Sequence, residues 1–114
     1  MNLEELIKIL ALKVKSGGEN LAKEITGGYC GDLLSDVMAN SKAGSIWITM
    51  QVHLNIVAIA SLKEHAAIIL VNNREPNEDT LKKAIGEKIP ILTSELTAFE
   101  LAGKLYALGI GKSE

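Results

Sequence analysis

The alternation of apolar and polar positions is sharpest at residues 66–76, AAIILVNNREP. Six apolar residues in a row, three of them β-branched, are too few for an ordinary helix. They predict a strand buried on both faces, the centre of a parallel sheet. The run then breaks into Asn72, Asn73, Arg74, Glu75 and Pro76, a polar loop stopped by proline. Residues 45–50 (SIWITM) repeat the arrangement, with a β-branched and aromatic run followed by Gln51, His53 and Asn55. Residues 89–93 (IPILT) predict a shorter strand. Two weaker candidates precede them. Residues 12–15 (LKVK) alternate as a half-exposed strand does. Residues 23–30 (KEITGGYC) are interrupted by Gly27 and Gly28, which predict a bulge or a close backbone approach.

Helical spacing fills the intervals. Asn2 with Glu5 forms a capping-box start for a helix carrying Leu3, Leu6, Ile7 and Leu10 on one face. Asp32 is expected to cap a helix that turns Leu33, Leu34, Val37 and Met38 inward. Residues 56–62 are almost wholly apolar, which predicts a helix covered by more than one neighbour. Asn77 is placed to cap a helix with Leu81, Ala84 and Ile85 inside. Thr97 and Glu100 make a second capping box. They open a helix with Ala98, Leu101, Ala102, Leu105 and Leu108 on one face and Gly109 as its stop. Strands alternating with helices predict an α/β sheet with a right-handed parallel portion. The whole chain, 1–114, reads as one domain, with residues 110–114 a frayed tail.

Composition narrows the class. The chain has 114 residues, 47% of them apolar, enough for one packed core, and its 4% aromatic content makes that core mainly Leu, Ile, Val and Ala. The net charge is 12 − 14 = −2, and no Lys/Arg cluster suggests a nucleic-acid surface. A single cysteine, Cys30, excludes an internal disulfide and fits a reducing compartment. The first ten residues are amphipathic and carry acidic groups, unlike a signal peptide, and no apolar stretch reaches the ~18 residues of a membrane span. The expectation is a cytoplasmic protein with no membrane partner.

No residue set supplies a nucleophile, a base and an orienting group at recognisable spacing, so no catalytic residue is expected. The spacing of histidine, cysteine and carboxylates predicts no metal site, and no cofactor is implied. Gly109-Ile110-Gly111-Lys112-Ser113 looks like a phosphate-binding P-loop, but the first glycine of that motif falls on Tyr106 and no helix is expected after it. Cys30 reads as a small core residue, with a thiol activated near a helix N-terminus as the alternative. His65 reads as a helix-terminal residue favoured by the dipole. Asp32 and Asp36 share a helix face, but a cap and a solvated carboxylate account for them more simply.

A ligand is expected where the strands hand over to polar loops, the carboxyl edge of an open sheet. The candidates there are Thr49, Gln51, His53 and Asn55, then Asn72, Asn73 and Arg74, then Thr93 and Ser94. Gly27 and Gly28 would approach from the side, offering backbone N–H groups if they are not a structural bulge. Arg74 is the natural partner for a phosphate or carboxylate, its planar fork matching both; the competing reading pairs it with Glu75 or Glu78. Phe99, Gly103 and Tyr106 form a second stripe on the last helix, which predicts a homodimer interface. The alternative is that the first helix or the tail covers that stripe within one chain.

Residues 23–36, KEITGGYCGDLLSD, taken with residues 44–76, GSIWITMQVHLNIVAIASLKEHAAIILVNNREP, resemble the DRTGG domain. The resemblance spans residues 2–110, as a stand-alone domain. Thr26, Gly27 and Gly28 keep the motif's last three letters, whereas Lys23 and Glu24 replace its Asp-Arg start. The family fold is similar to the N-terminal domain of HPr kinase/phosphorylase and of certain Mur ligases. It implies a single three-layer α/β/α domain with a mixed, partly parallel sheet. In larger proteins the domain accompanies CBS-domain pyrophosphatase modules or phosphotransacetylases in regulatory or interface-forming positions. The resemblance therefore implies a non-catalytic regulatory or ligand-sensing module, taking a nucleotide or other small anionic metabolite. The alternative is an interaction or dimerisation scaffold with a protein partner and no small ligand. An HPr-kinase-like enzyme has least support, since the kinase's P-loop domain has no counterpart here.

Overall fold

The computed structural model describes residues 1–111. In chain order these form α1 (Leu3–Leu10), β1 (Lys13–Ser16), a 3-10 turn (Gly18–Asn20), β2 (Gly27–Cys30), α2 (Leu34–Asn40), β3 (Ser45–Thr49), α3 (Asn55–Leu62), β4 (Ala67–Leu70), α4 (Glu78–Glu87), β5 (Ile91–Thr93) and α5 (Ala98–Ala107). The five strands make one sheet in the order β1-β5-β4-β3-β2. β2 to β5 run parallel, and β1 joins β5 antiparallel. β4, the long apolar run, is the middle strand and is buried throughout.

The strand order sets the layers. Each step from β2 to β3, β4 and β5 moves one strand in the same direction, so right-handed crossovers put all three connecting helices on one face. Val37 of α2, Ile56 and Val57 of α3 and Ala84 of α4 pack there on Trp47, Ile68, Leu70 and Ile91. The alternate strand residues Ile46, Ile48, Ala67, Ile69 and Leu92 face the other way, onto Leu3 and Leu6 of α1 and Leu101 and Leu105 of α5. The result is a single three-layer α/β/α domain with a mixed sheet. Both capping boxes form, at Asn2/Glu5 and Thr97/Glu100.

Several local expectations give way to long-range contacts. No bulge occurs at Gly27 and Gly28, which pair in continuous register with Ser45 and Ile46. The irregularity is in β1, between Val14 and Ser16, where Ser16 Oγ donates to the Ile89 carbonyl (2.7 Å) and accepts from the Ile91 amide (3.1 Å). Asp32 caps no helix: the N-cap of α2 is Leu33, without a side-chain bond, and Leu33 is exposed. Asn77 occupies the N-cap of α4, but its side chain makes no capping bond. Ile85 and Leu108 point outward, because α4 and α5 each lie on the sheet along a narrow stripe. Ile110 is not frayed. It is buried against the α1/α5 core, and its amide donates to the Leu105 carbonyl (3.1 Å). Gly109, Ile110 and Gly111 thus finish α5, while Lys112, Ser113 and the rest of the expected tail lie outside the described residues.

Candidate functional site

The carboxyl ends of the parallel strands gather the expected loops on one edge, and much of their polarity is spent internally. Asp32 Oδ1 accepts from Thr49 Oγ1 (2.8 Å) and from the Met50 amide (2.7 Å), and Gln51 Nε2 donates to the Asp32 carbonyl (3.1 Å). Thr49, Thr93 and Ser94 are buried, and Ser94 Oγ accepts from the Leu96 amide (3.1 Å). None of these three is presented to a ligand. Asn55 is the exposed first residue of α3.

The remaining candidates stay on the surface. Asn72 and Asn73 are both left-handed (φ 58° and 56°), a conformation asparagine tolerates better than most residues. Their amides donate to the Leu96 and Ser94 carbonyls, each at 2.9 Å, locking this loop against the one that follows β5. Arg74 then projects into solvent. The competing ion pairs do not form: Glu75 pairs with Lys15 (2.9 Å) and Glu78 with Lys82 (3.8 Å). His53 Nδ1 accepts from Asn77 Nδ2 (3.2 Å), which leaves Nε2–H outward. The edge therefore presents Gln51, His53, Asn72, Asn73 and Arg74 on an open surface. Carboxyl-edge crevices arise where strand order reverses, and β2 to β5 never reverse.

Gly27 and Gly28 belong elsewhere. They start β2, at the opposite end of the strands, and do not join the Arg74 surface. Neither has a positive φ, and a Cβ on either meets only ordinary contacts, Ser45 Oγ at 3.6 Å for Gly27 and the Ile46 carbonyl at 3.8 Å for Gly28. The constrained glycine at this end is Gly44 (φ 79°), whose Cβ would lie 2.3 Å from Thr26 Oγ1; Gly17 (φ 73°), in the turn after β1, is held as tightly, with a Cβ 2.3 Å from the Pro90 nitrogen. Thr26 in turn donates from its hydroxyl to the Ala43 carbonyl (2.9 Å) and from its amide to the Gly44 carbonyl (3.0 Å). Successive strand residues face opposite ways, so the two glycines open two clefts. A cleft of about 210 Å³ next to Gly28 is walled by Ile48, Leu105 and Ile110. A more polar one of about 460 Å³ lies between Gly27, Ser45 and the loop after α2. Ser45 and Lys42, which line it, carry no local sequence signal.

Other expectations are corrected by the packing. His65 does close the end of α3, its amide donating to the Ala60 carbonyl (3.0 Å), but its ring is buried edge-on to Trp47 at 5.6 Å instead of lying charged at the helix dipole. Burial, then the charge of Lys63, lowers its pKa to about 4. Cys30 is exposed at the sheet margin, not in the core. Partial desolvation and then Asp32 push its thiol pKa upward, the opposite of activation. Asp36 is not merely solvated: it accepts from the Tyr29 hydroxyl and from Asn40 Nδ2 (2.9 Å). The bond to Asp36 is the main reason the Tyr29 pKa is raised. Among the described residues no cluster of His, Cys, Asp and Glu could hold a metal ion, and no helix is long and apolar enough to cross a membrane.

No family model and no curated protein matches the chain. Among solved structures it resembles the CBS and DRTGG domains of the regulatory region of Clostridium perfringens pyrophosphatase, solved in complex with the activator diadenosine tetraphosphate. The TM-score is 0.75 at 14% identity, over 96% of this chain and 47% of that one, so the chain spans about half the length of its match. At that identity the likeness is one of fold, and the fold is DRTGG-like.

Proposed function

We propose that this chain is a non-catalytic, ligand-sensing regulatory module for a small anionic metabolite, with a nucleotide as the leading class. The observation that carries the reading is Arg74, an exposed guanidinium without an ion pair among the described residues, on the same edge of the sheet as His53 and Asn72. A planar cation beside neutral donors suits a phosphate or carboxylate. The regulatory pyrophosphatase region of similar fold, solved with a dinucleotide activator, supports the same class. Gln51 and Asn73 would contribute the rest of the polar surface. The test is a thermal-shift screen against nucleotides and central metabolites, since a ligand that binds only the folded chain raises its melting temperature. The expected hit loses affinity in Arg74→Ala and His53→Ala. A hit indifferent to both removes this surface from the reading.

A second reading, a homodimerising scaffold, is favoured by α5. Phe99 is 89% exposed, and Gly103 beside it leaves room for a close approach. Two such surfaces meeting about a two-fold axis would bury both phenylalanines.

A further inference from the structure

The cleft beside Gly27 has no part in the Arg74 surface, and three observations there point the same way. Ser45 is only 5% exposed, yet its hydroxyl makes no hydrogen bond within the described chain. That hydroxyl lines the cleft, where it can donate to a bound group. Gly27 opposite needs no glycine for its own backbone: its φ is not positive, its register is regular, and a Cβ would sit 3.6 Å from Ser45 Oγ. The missing side chain keeps open the space in front of that hydroxyl. Finally, the loop after α2 supplies donors. The amides of Lys42 and Ala43 have no partner among the described residues, and the Lys42 ammonium makes no ion pair there. Among the described residues no carboxylate lines the cleft. The negative end of α2 is blunted as well, because the Val37 carbonyl is taken by the Ser41 amide (3.0 Å) and hydroxyl (2.6 Å).

We infer that this cleft, between the start of β2 and the α2–β3 loop, binds a small anion of the phosphate or carboxylate class. Ser45 Oγ donates from the floor, the Lys42 and Ala43 amides from the rim, and the Lys42 ammonium supplies the charge. About 460 Å³ accommodates a phosphate with an attached organic group. The inference shares with the proposed function only the premise that this chain senses an anion; its place is different.

The test is an amide-resolved NMR titration of the whole chain with inorganic phosphate and then with adenosine monophosphate, at constant ionic strength. Saturable shifts are expected at Gly27, Gly28 and residues 42–44. Lys42→Ala, a change at an exposed position, should weaken binding about tenfold, as loss of a charge-assisted hydrogen bond does. Gly27→Val, which fills the cleft, should abolish it, and Ser45→Ala reports on the same hydroxyl should the valine variant misfold. Arg74→Ala should change nothing here. Saturable shifts with phosphate alone indicate a free-anion site, and tighter binding of the monophosphate indicates that the organic group is held too. Shifts confined to residues 51–53 and 72–74 would overturn this inference and leave the proposed function standing. Shifts at the cleft that ignore Lys42→Ala and Ser45→Ala would also overturn it. Silence at both places removes both.

Discussion

His65 Nε2 lies 2.8 Å from Ser41 Oγ, and the direction of that bond fixes the histidine's proton. Ser41 Oγ already donates to the Val37 carbonyl, so it accepts here and Nε2 carries the hydrogen. Nδ1 is then an unprotonated acceptor, buried without a partner. Protonation would place a charge and a second donor, this one unpaired, beside Trp47, which is the structural reason for a pKa near 4.

A pH dependence of stability follows. The folded pKa, about 4, is below the ordinary 6.5, so the unfolded chain binds the extra proton between those values. Stability from this group is intact above pH 6.5 and falls as the pH drops toward 4. From pH 7 to pH 5 the loss should be about 2 kcal/mol. Urea unfolding of the wild type and of His65→Gln at both pH values checks it. The variant should start less stable and lose less on acidification; equal losses would mean that His65 does not titrate as described.

Three glycine positions should separate clearly. Gly44→Ala combines a left-handed backbone with a Cβ 2.3 Å from Thr26 Oγ1 and should cost more than about 2 kcal/mol. Gly86 and Gly103 sit inside α4 and α5 with nothing within 4 Å of an added Cβ. Their alanine variants should each gain about 0.5–1 kcal/mol, the helix-propensity difference. Thermal unfolding of the three single variants measures all of this.

Asp32 should matter to stability through β3 rather than through α2. Asp32→Ala strands the buried Thr49 hydroxyl and the Met50 amide, at about 2 kcal/mol. Asp32→Asn keeps an acceptor oxygen and should recover most of it. Chemical denaturation of both variants decides; if the two lose equally, the hydrogen bonds are not what Asp32 contributes.

The α5 stripe predicts association. Light scattering after size exclusion should give a dimer at high micromolar concentration, and Phe99→Glu or Tyr106→Glu should return a monomer. A wild type that stays monomeric ends the scaffold reading. A dimer that both variants leave intact moves the interface elsewhere.

The elements of this fold are written in short-range pattern. The buried run of β4, the strong strand β3 and the capping boxes at Asn2/Glu5 and Thr97/Glu100 depend on neighbours within a few residues, so periodicity and capping chemistry suffice to find them. The three-layer arrangement came with the DRTGG resemblance, and the strand order bears it out. What the tertiary structure alone decided is where polar groups are spent. Asp32 has a cap's spacing, but β3 lies beside β2 and offers Thr49 and Met50, 17 and 18 residues away, so the carboxylate serves the sheet. His65 follows a helix, yet Ser41, 24 residues earlier, and Trp47 enclose it. Gly27 and Gly28 suggested a bulge, and only the packing of α2 and α5 on either side of an edge strand turned them into the walls of two clefts. A residue's type states which bonds it can make. Strand order and crossover handedness decide which partners are near enough to make them.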